Sequence, residues 1–148
     1  MKAIVFTERE MTPSELDRMR QGFDENSIAN GVIPQDSQRF GYVVMDGEKF
    51  IGCVSGLAYK NGEYFNSWCY LTDLFVEKAN RRQGIGAKLL GKLEKTVSQH
   101  GIDKIWTWTA GYEGPQFYIQ QGYEIFAELE NWYSSGDSRI GLRKKLMG

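Results

Sequence analysis

The chain has 148 residues, which is enough for one domain with a sizeable hydrophobic core and too few for two domains of ordinary size. Its 18 Lys and Arg residues nearly balance its 19 Asp and Glu residues, so no overall field favours nucleic acid or an anionic membrane. We therefore predict a single domain over residues 1–148 whose binding is local, with neither nucleic acid nor a membrane as partner.

The N-terminus and the cysteines together indicate a reducing compartment. The apolar start of the chain turns polar at Thr7, so it is too short for the core of a signal peptide. Cys53 and Cys69 lie in strand-like segments and lack a partner Cys or His at metal-ligand spacing. We expect a cytoplasmic protein with reduced, buried thiols and no metal site.

The N-terminal segment is predicted to contain a strand and two helices. Residues 2–6 have the composition of a short strand. Thr12 to Glu15 form a capping box with Pro at the first helical position, which predicts a helix from Pro13 to about Asn26. The stretch from Ser27 to Ser37 mixes Gly, Pro, Asn and Asp with apolar residues, so we expect a short helix and a loop there.

The middle of the chain changes to a β pattern. Residues 39–76 are rich in strand-forming residues and are broken by Asp46-Gly47 and Asn61-Gly62, which predicts an antiparallel meander of three strands. Apolar residues then recur at helical spacing from Ile85 to Val97, and Lys104 to Ala110 has the pattern of a strand again. This succession predicts a βαβ unit with parallel strands.

The C-terminal part is predicted to add a helix and two strands. Pro115 can start a short helix that ends by Gly122, and strands are expected over residues 123–129 and 139–146. The resulting order, β-α-α-β-β-β-α-β-α-β-β, predicts one α/β domain with a mixed sheet.

A Gly-rich loop stands between the third strand of the meander and the helix that follows. Gly84 and Gly86 let the backbone approach an anion without an intervening Cβ, and the N-terminal end of the helix points its free N–H groups and positive dipole to the same place. Arg81 and Arg82 add positive charge. The loop lacks the Gly-Lys-Ser/Thr ending of a Walker loop, and Leu89 stands where a dinucleotide fingerprint needs Gly. A different phosphate-binding loop is predicted.

Two short motifs follow one another along the chain. Residues 81–86 read Arg-Arg-Gln-Gly-Ile-Gly, and residues 117–123 read Phe-Tyr-Ile-Gln-Gln-Gly-Tyr. They resemble, in the same order, the Arg/Gln-x-x-Gly-x-Gly/Ala signature and the aromatic pair followed by a Gly-aromatic of the GNAT superfamily of acyl-CoA-dependent N-acetyltransferases. The resemblance implies a mostly antiparallel, mixed sheet of six to seven strands flanked by about four helices.

The resemblance also implies acetyl-CoA as cosubstrate. In the family, loop residues hold the CoA pyrophosphate and the preceding strand pairs through its backbone with the pantetheine arm. On this chain the implied cofactor-binding residues are Leu74, Phe75, Val76, Arg81, Arg82, Gln83, Gly84, Ile85, Gly86 and Ala87. Gly111 replaces an Asn that many members carry, and Lys78 replaces a common Pro.

Tyr118 is the catalytic residue that the resemblance implies, because the family's Tyr of the aromatic pair protonates the departing thiolate. The amine must also lose a proton before it can attack. Asp73 lies on the strand beside the expected acyl site and is the first candidate for the base or for organising a water, while Glu113 and Glu130 are alternatives.

The leading interpretation is an acetyltransferase that moves acetyl from acetyl-CoA to a primary amine of a small molecule or peptide in a ternary complex. The alternative is an acyl-CoA-binding sensor or interaction module without turnover. The resemblance also allows a homodimer joined through the last strands, as in many members.

Overall fold

The structure, a computed structural model, describes residues 3–33 and 36–146. These residues fall into two compact units that divide between residues 34 and 35. The first unit contains one α-helix, and the second contains six strands and two α-helices. No helix in the described ranges is both long enough and apolar enough to cross a membrane.

The first unit contains helix α1, Pro13–Ala29, which begins at the predicted capping box. The Glu15 N–H donates to Thr12 Oγ1 at 3.2 Å, and the Thr12 N–H donates to Glu15 Oε1 at 2.8 Å. Arg9 also binds both carboxylate oxygens of Glu15, at 2.8 and 2.9 Å. These bonds, that from Arg9 above all, lower the pKa of Glu15 to about 2. The cap therefore sets the start of α1 as the sequence predicts.

Two elements predicted for this region are not found. Residues 3–6 form no strand, because a strand needs a hydrogen-bonded neighbour and the described residues supply none for them; Lys2 lies outside the described residues. A second helix between Ser27 and Ser37 is also absent from the described part of that stretch. Helix α1 instead continues to Ala29, and the first strand already starts at Asp36.

The second unit is built on one six-stranded sheet. Its strands are β1 Asp36–Asp46, β2 Lys49–Asn61, β3 Tyr64–Val76, β4 Lys104–Ala110, β5 Glu124–Leu129 and β6 Arg139–Lys145. Their order in the sheet is β1-β2-β3-β4-β6-β5. Only β3 and β4 are parallel, and every other neighbouring pair is antiparallel. The predicted mixed, mostly antiparallel sheet is confirmed, with three α-helices in the described ranges where about four were expected.

Helix α2, Ile85–Gln99, covers one face of this sheet, and α3, Pro115–Gln120, follows β4. The apolar stripe of α2 is buried, as its helical spacing predicts. It packs on strand residues that include Val54, Cys69, Leu71, Ile105 and Leu142. Both cysteines are free thiols; Cys69 is buried as predicted, whereas Cys53 is only half-buried.

The parallel pairing of β3 with β4 is short. It extends over three residue pairs, from Trp68 with Lys104 to Tyr70 with Trp106. Beyond these pairs β3 continues to Val76 and β4 to Ala110, each without the other as a partner. The two strands therefore separate at their C-terminal ends and leave a gap in the sheet.

A β-bulge in β3 lies at the point of separation. The register between β2 and β3 shifts so that Thr72 has no partner residue on β2. Its hydroxyl donates to the Ser55 carbonyl at 3.1 Å, which holds the extra residue against β2. A bulge bends its strand and increases the local twist. We conclude that the bulge turns the end of β3 away from β4.

We predict that Gly52→Ala destabilises the protein by about 1 to 3 kcal/mol. A Cβ at Gly52, on β2, would lie 2.5 Å from the Phe75 carbonyl oxygen on β3, and a backbone atom cannot move aside cheaply. Gly91→Ala is the control, because its Cβ meets nothing within 4 Å and Ala favours the helix. Urea unfolding should show a loss for the first variant and a small gain for the second. Equal effects would contradict this packing.

Candidate active site

A cleft of about 230 Å³ opens where β3 and β4 separate. It brings together Tyr118, Asp73 and Glu113, which the sequence singled out for chemistry, with Leu74 and Phe75 of β3. The remaining lining residues are Leu71, Thr72, Thr107, Trp108 and Thr109. Three separate parts of the chain thus meet at one place.

A larger depression of about 570 Å³ lies elsewhere, between α2 and β6. Its lining contains none of the residues predicted for catalysis or cofactor binding. It includes an ion pair in which Lys144 Nζ lies 2.9 Å from Glu94 Oε1, and Glu94 also accepts from the Tyr123 hydroxyl at 2.8 Å. These bonds tie α2 to β6 and to the end of the α3 segment. The smaller cleft is therefore the better candidate for the active site.

Tyr118 is half-buried on α3 and is held by aromatic neighbours. Its ring makes edge-to-face contacts with Phe117 and Tyr123, with centroids 5.2 and 5.5 Å apart. Burial raises the pKa of Tyr118 to about 12, and the negative charge of Glu113 adds to the rise. The phenol therefore keeps its proton throughout the neutral range. Such a group can donate a proton but cannot serve as a base there.

The two carboxylates of the cleft come from opposite sides. Asp73 is exposed on β3, next to the bulged residue Thr72, and Glu113 is exposed in the turn between β4 and α3. Glu130, the third carboxylate considered from the sequence, lies in the turn after β5 and is not part of the cleft lining. A cation in the cleft would therefore meet Asp73 and Glu113.

The loop before α2 presents a row of free amides. The first bond of the helix is from the Lys88 N–H to the Gly84 carbonyl, at 3.1 Å. Within the described residues, the N–H groups from Arg82 to Ala87 have no backbone acceptor. Arg82 and Gly84 have φ of 66° and 77°, which lie in the left-handed region, and turns that bring successive N–H groups together can form concave anion sites. The loop thus has free donors at the place where the sequence predicts a phosphate-binding loop.

The loop is attached to the end of β3. The Arg81 Nε–H donates to the Val76 carbonyl at 3.0 Å. Gly86 lies between Val76 and Phe117, since a Cβ placed on it would be 3.8 Å from Val76 Cγ2 and 3.6 Å from the Phe117 ring. Ile85 packs against the core with its side chain, so only its main chain faces the loop. The loop thus contacts the end of β3 and the α3 segment, and both of these elements also contribute residues to the cleft lining.

Two threonines of the cleft were not singled out from the sequence. Thr107 is buried, and its hydroxyl donates to the Leu71 carbonyl at 2.9 Å, which bridges β3 and β4 just past their last backbone pair. Thr72 forms the bulge. The alternation of Trp106, Thr107, Trp108 and Thr109 was a usable signal for a polar edge on β4, whereas nothing local marks a bulge in advance.

Aromatic side chains of β3 and β4 contact one another on the face of the sheet that is opposite α2. Tyr70 stacks on Trp106 at 4.3 Å, and Trp106 meets Trp108 edge-on at 6.1 Å. Trp132 has the Arg139 guanidinium 5.1 Å from its ring centroid. The chain's own cation therefore occupies a cation–π position there.

Gly111 has no side chain to replace the Asn that many GNAT members carry. Its N–H donates to the Ser138 carbonyl at 2.9 Å, so it joins the turn after β4 to the segment before β6.

Within residues 3–33 and 36–146, no three His, Cys, Asp or Glu side chains are arranged to hold a metal ion.

Residues 37–125 match the family model described as the acetyltransferase (GNAT) domain. This segment covers more than half of the chain and includes both sequence motifs and the whole cleft. The chain belongs to the GNAT acetyltransferase family. As a GNAT member it is an acyltransferase, and the resemblance noted in the sequence is confirmed.

Several solved structures share the fold. An acetyltransferase from Bacillus cereus has a TM-score of 0.78 at 20% identity, with 95% of this chain and 98% of that chain covered. An aminoglycoside 6'-N-acetyltransferase complexed with coenzyme A has a TM-score of 0.61 at 22% identity, with 93% of each chain covered. The NatC complex bound to Gag peptide and CoA has a TM-score of 0.61 at 17% identity, covering 88% of this chain and 79% of that chain.

A search of curated proteins gave no match.

We predict that Tyr118 makes this GNAT protein less stable at high pH. The pKa of Tyr118 rises from 10 to about 12 on folding, so its contribution to the free energy of unfolding is complete below pH 10 and is lost as pH rises toward 12. Urea unfolding between pH ~9 and ~11 should therefore show a shallower decline for Tyr118→Phe than for wild type. Glu113→Gln should stay closer to wild type than Tyr118→Phe does, because burial is the larger cause of the raised pKa. Identical slopes would contradict the shifted pKa.

Proposed function

We propose that residues 1–148 act as one GNAT domain that transfers an acetyl group from acetyl-CoA to a primary amine of a small molecule or peptide. The observation that carries the proposal is the cleft in which Tyr118, Asp73 and Glu113 meet beside the row of free amides. Relatives solved with coenzyme A, one an aminoglycoside acetyltransferase and one with a bound peptide, support the choice of cosubstrate. A cytoplasmic location and a homodimer stay predictions.

The loop before α2 would hold the pyrophosphate of CoA. Its free N–H groups belong to Arg82, Gln83, Gly84, Ile85, Gly86 and Ala87. Hydrogen bonds from amides to an anion are stronger than those to a neutral acceptor, and the positive end of the α2 dipole adds to them. Arg81 and Arg82 contribute positive charge without any acidic partner among the described ion pairs. The site thus fits a diphosphate.

The edge of β3 would hold the pantetheine arm. From Leu74 to Val76 this edge faces the space that β4 vacates, so its backbone groups lack the partner that a continuous sheet would supply. The Val76 carbonyl already accepts from Arg81 and can accept one further bond. An amide-containing arm can pair with such an edge as an added strand does.

Bound acetyl-CoA supplies the thioester whose acetyl group is transferred. Asp73, on β3, would take a proton from the incoming ammonium, directly or through water, so that the amine has a free lone pair. Glu113 is the alternative base in the same cleft, and Glu130 ranks behind both because it is not part of the lining. Tyr118 would hold its phenolic proton for the departing sulfur, and burial keeps that proton in place.

The proposal is tested by incubating the protein with acetyl-CoA and a panel of primary amines while thiol release is followed. We expect at least one amine to raise thiol release above the rate without amine. If no amine does so while CoA still binds tightly in calorimetry, the proposal is wrong and the sensor alternative is favoured. The presence of Tyr118 in a cleft with two carboxylates favours an enzyme over a sensor without turnover.

We predict that Tyr118→Phe lowers kcat by about 10² to 10⁴, because the departing sulfur loses its proton donor. The affinity for CoA should stay the same, since Tyr118 is not part of the loop amides. Tyr112→Phe is the matched control, because Tyr112 is 58% exposed and is not part of the cleft lining. If Tyr118→Phe keeps the wild-type kcat, Tyr118 is not the proton donor.

We predict that Gly84→Ala weakens CoA binding roughly tenfold, because the variant disturbs amides that each contribute a bond to an anion. Gly101→Ala is the matched control at the other end of α2. Gly84 and Gly101 have φ of 77° and 82°, and a Cβ on either meets nothing within 4 Å. Both variants should therefore lose a similar ~1 to 2 kcal/mol of stability. Calorimetry that finds equal CoA affinities for both would contradict the pyrophosphate site.

A further inference from the structure

Arg139 is the least expected feature beside the cleft. Its guanidinium carbon lies 5.0 Å from the ring centroid of Trp108 and 5.1 Å from that of Trp132, so the guanidinium contacts two tryptophans. Arg139 is half-buried, and within residues 3–33 and 36–146 it forms no ion pair with a carboxylate. The two rings fix the position of the side chain, yet its hydrogen-bond donors have no acidic partner.

Arg143 on the same strand shows the ordinary arrangement. Its side chain lies over the Phe126 ring at 5.7 Å, as Arg139 lies over tryptophan, but its Nε–H also donates to Glu124 at 3.0 Å. Both arginines face the same side of the sheet, since they are four residues apart on β6. The two arginines differ in their acidic partner. Arg143 binds the carboxylate of Glu124, whereas Arg139 binds no carboxylate within the described residues.

Arg139 lies at the end of the sheet where the cleft opens. It pairs with Ala110, the residue after Thr109 of the cleft lining, and neighbouring antiparallel strands have Cα atoms about 5 Å apart. Trp108 belongs both to the cleft lining and to the contacts of Arg139. Tyr112, next to Glu113, also packs edge-on against Tyr133 of the segment that carries Trp132, at 5.2 Å. The surroundings of Arg139 and the cleft are thus one connected structure.

We propose, resting on the proposed acetyltransferase function, that Arg139 binds a carboxylate of the acceptor, so that the substrate is an amino acid or another amine that carries a carboxylate. The ammonium end of such a zwitterion matches Asp73 and Glu113 in the cleft, and its carboxylate matches the planar fork of a guanidinium. Contact with two tryptophan rings restricts the guanidinium before the substrate arrives, which reduces the entropy lost on binding. Arg139 is a specificity residue and takes no part in proton transfer.

The test compares ω-amino acids from glycine to 6-aminohexanoate with the amide of each, using acetyl-CoA and thiol release. At the best chain length, wild type should prefer the acid over its amide by roughly ten- to hundredfold in kcat/KM, mostly through KM. Arg139→Gln should remove this preference, and Arg139→Lys should restore part of it. Arg143→Gln is the matched control and should keep the preference.

Two outcomes separate this inference from the proposed function. If amines are acetylated but acids and amides react equally in wild type, or if Arg139→Gln keeps the preference, the inference is wrong and the acetyltransferase proposal stands. If no amine is acetylated, the proposed function fails, and binding then decides the inference. In wild type, the acids should then still quench tryptophan fluorescence more strongly than the amides do. In Arg139→Gln, acids and amides should quench it equally. The comparison of ligands in wild type does not depend on any variant folding.

Discussion

The early end of the pairing between β3 and β4 is the constraint on which the rest of the site depends. A parallel pair that continued to Val76 and Ala110 would use the backbone groups of both strands and close the sheet. The bulge at Thr72 bends β3 away, and the hydroxyl of Thr107 replaces the first missing bond to Leu71. The gap supplies a free strand edge, a cleft, and an opening into which α3 can place Tyr118.

Positive and negative charges lie in different places around this gap. Positive potential comes from amides, a helix dipole and arginines in the loop that begins α2, where a diphosphate would bind. Negative charge comes from Asp73 and Glu113 in the cleft, where an ammonium would lose its proton. Tyr118 is partly dehydrated, and burial together with the smaller effect of the Glu113 charge raises the pKa of its phenol. A nearly neutral chain therefore contains a strongly polarised site, which its net charge could not indicate.

Local signals predicted most of the second unit. Its turns contain the glycines that positive φ requires, the apolar spacing gives α2, and the loop motif lies at the start of that helix as expected. The predictions of an N-terminal strand and of a second helix were wrong. A strand needs a partner that is distant in sequence, and a stretch rich in Gly and Pro does not favour a helix. Tyr118 and Asp73, which line the cleft, were singled out through the family resemblance, whereas Thr107 and Arg139 were missed because their surroundings depend on which strands become neighbours. Register and bulges are decided by contacts between segments far apart in sequence.

The central claim is that the free amides of the loop receive the anionic part of the donor next to the end of β3. Titration of ¹⁵N-labelled protein with CoA, followed by amide chemical shifts, tests it most directly. The account predicts that the amides from Arg82 to Ala87 shift most, together with those from Leu74 to Val76, while the amides around Glu94 and Lys144 stay unchanged. Saturable CoA binding that leaves the amides from Arg82 to Ala87 unshifted would contradict it.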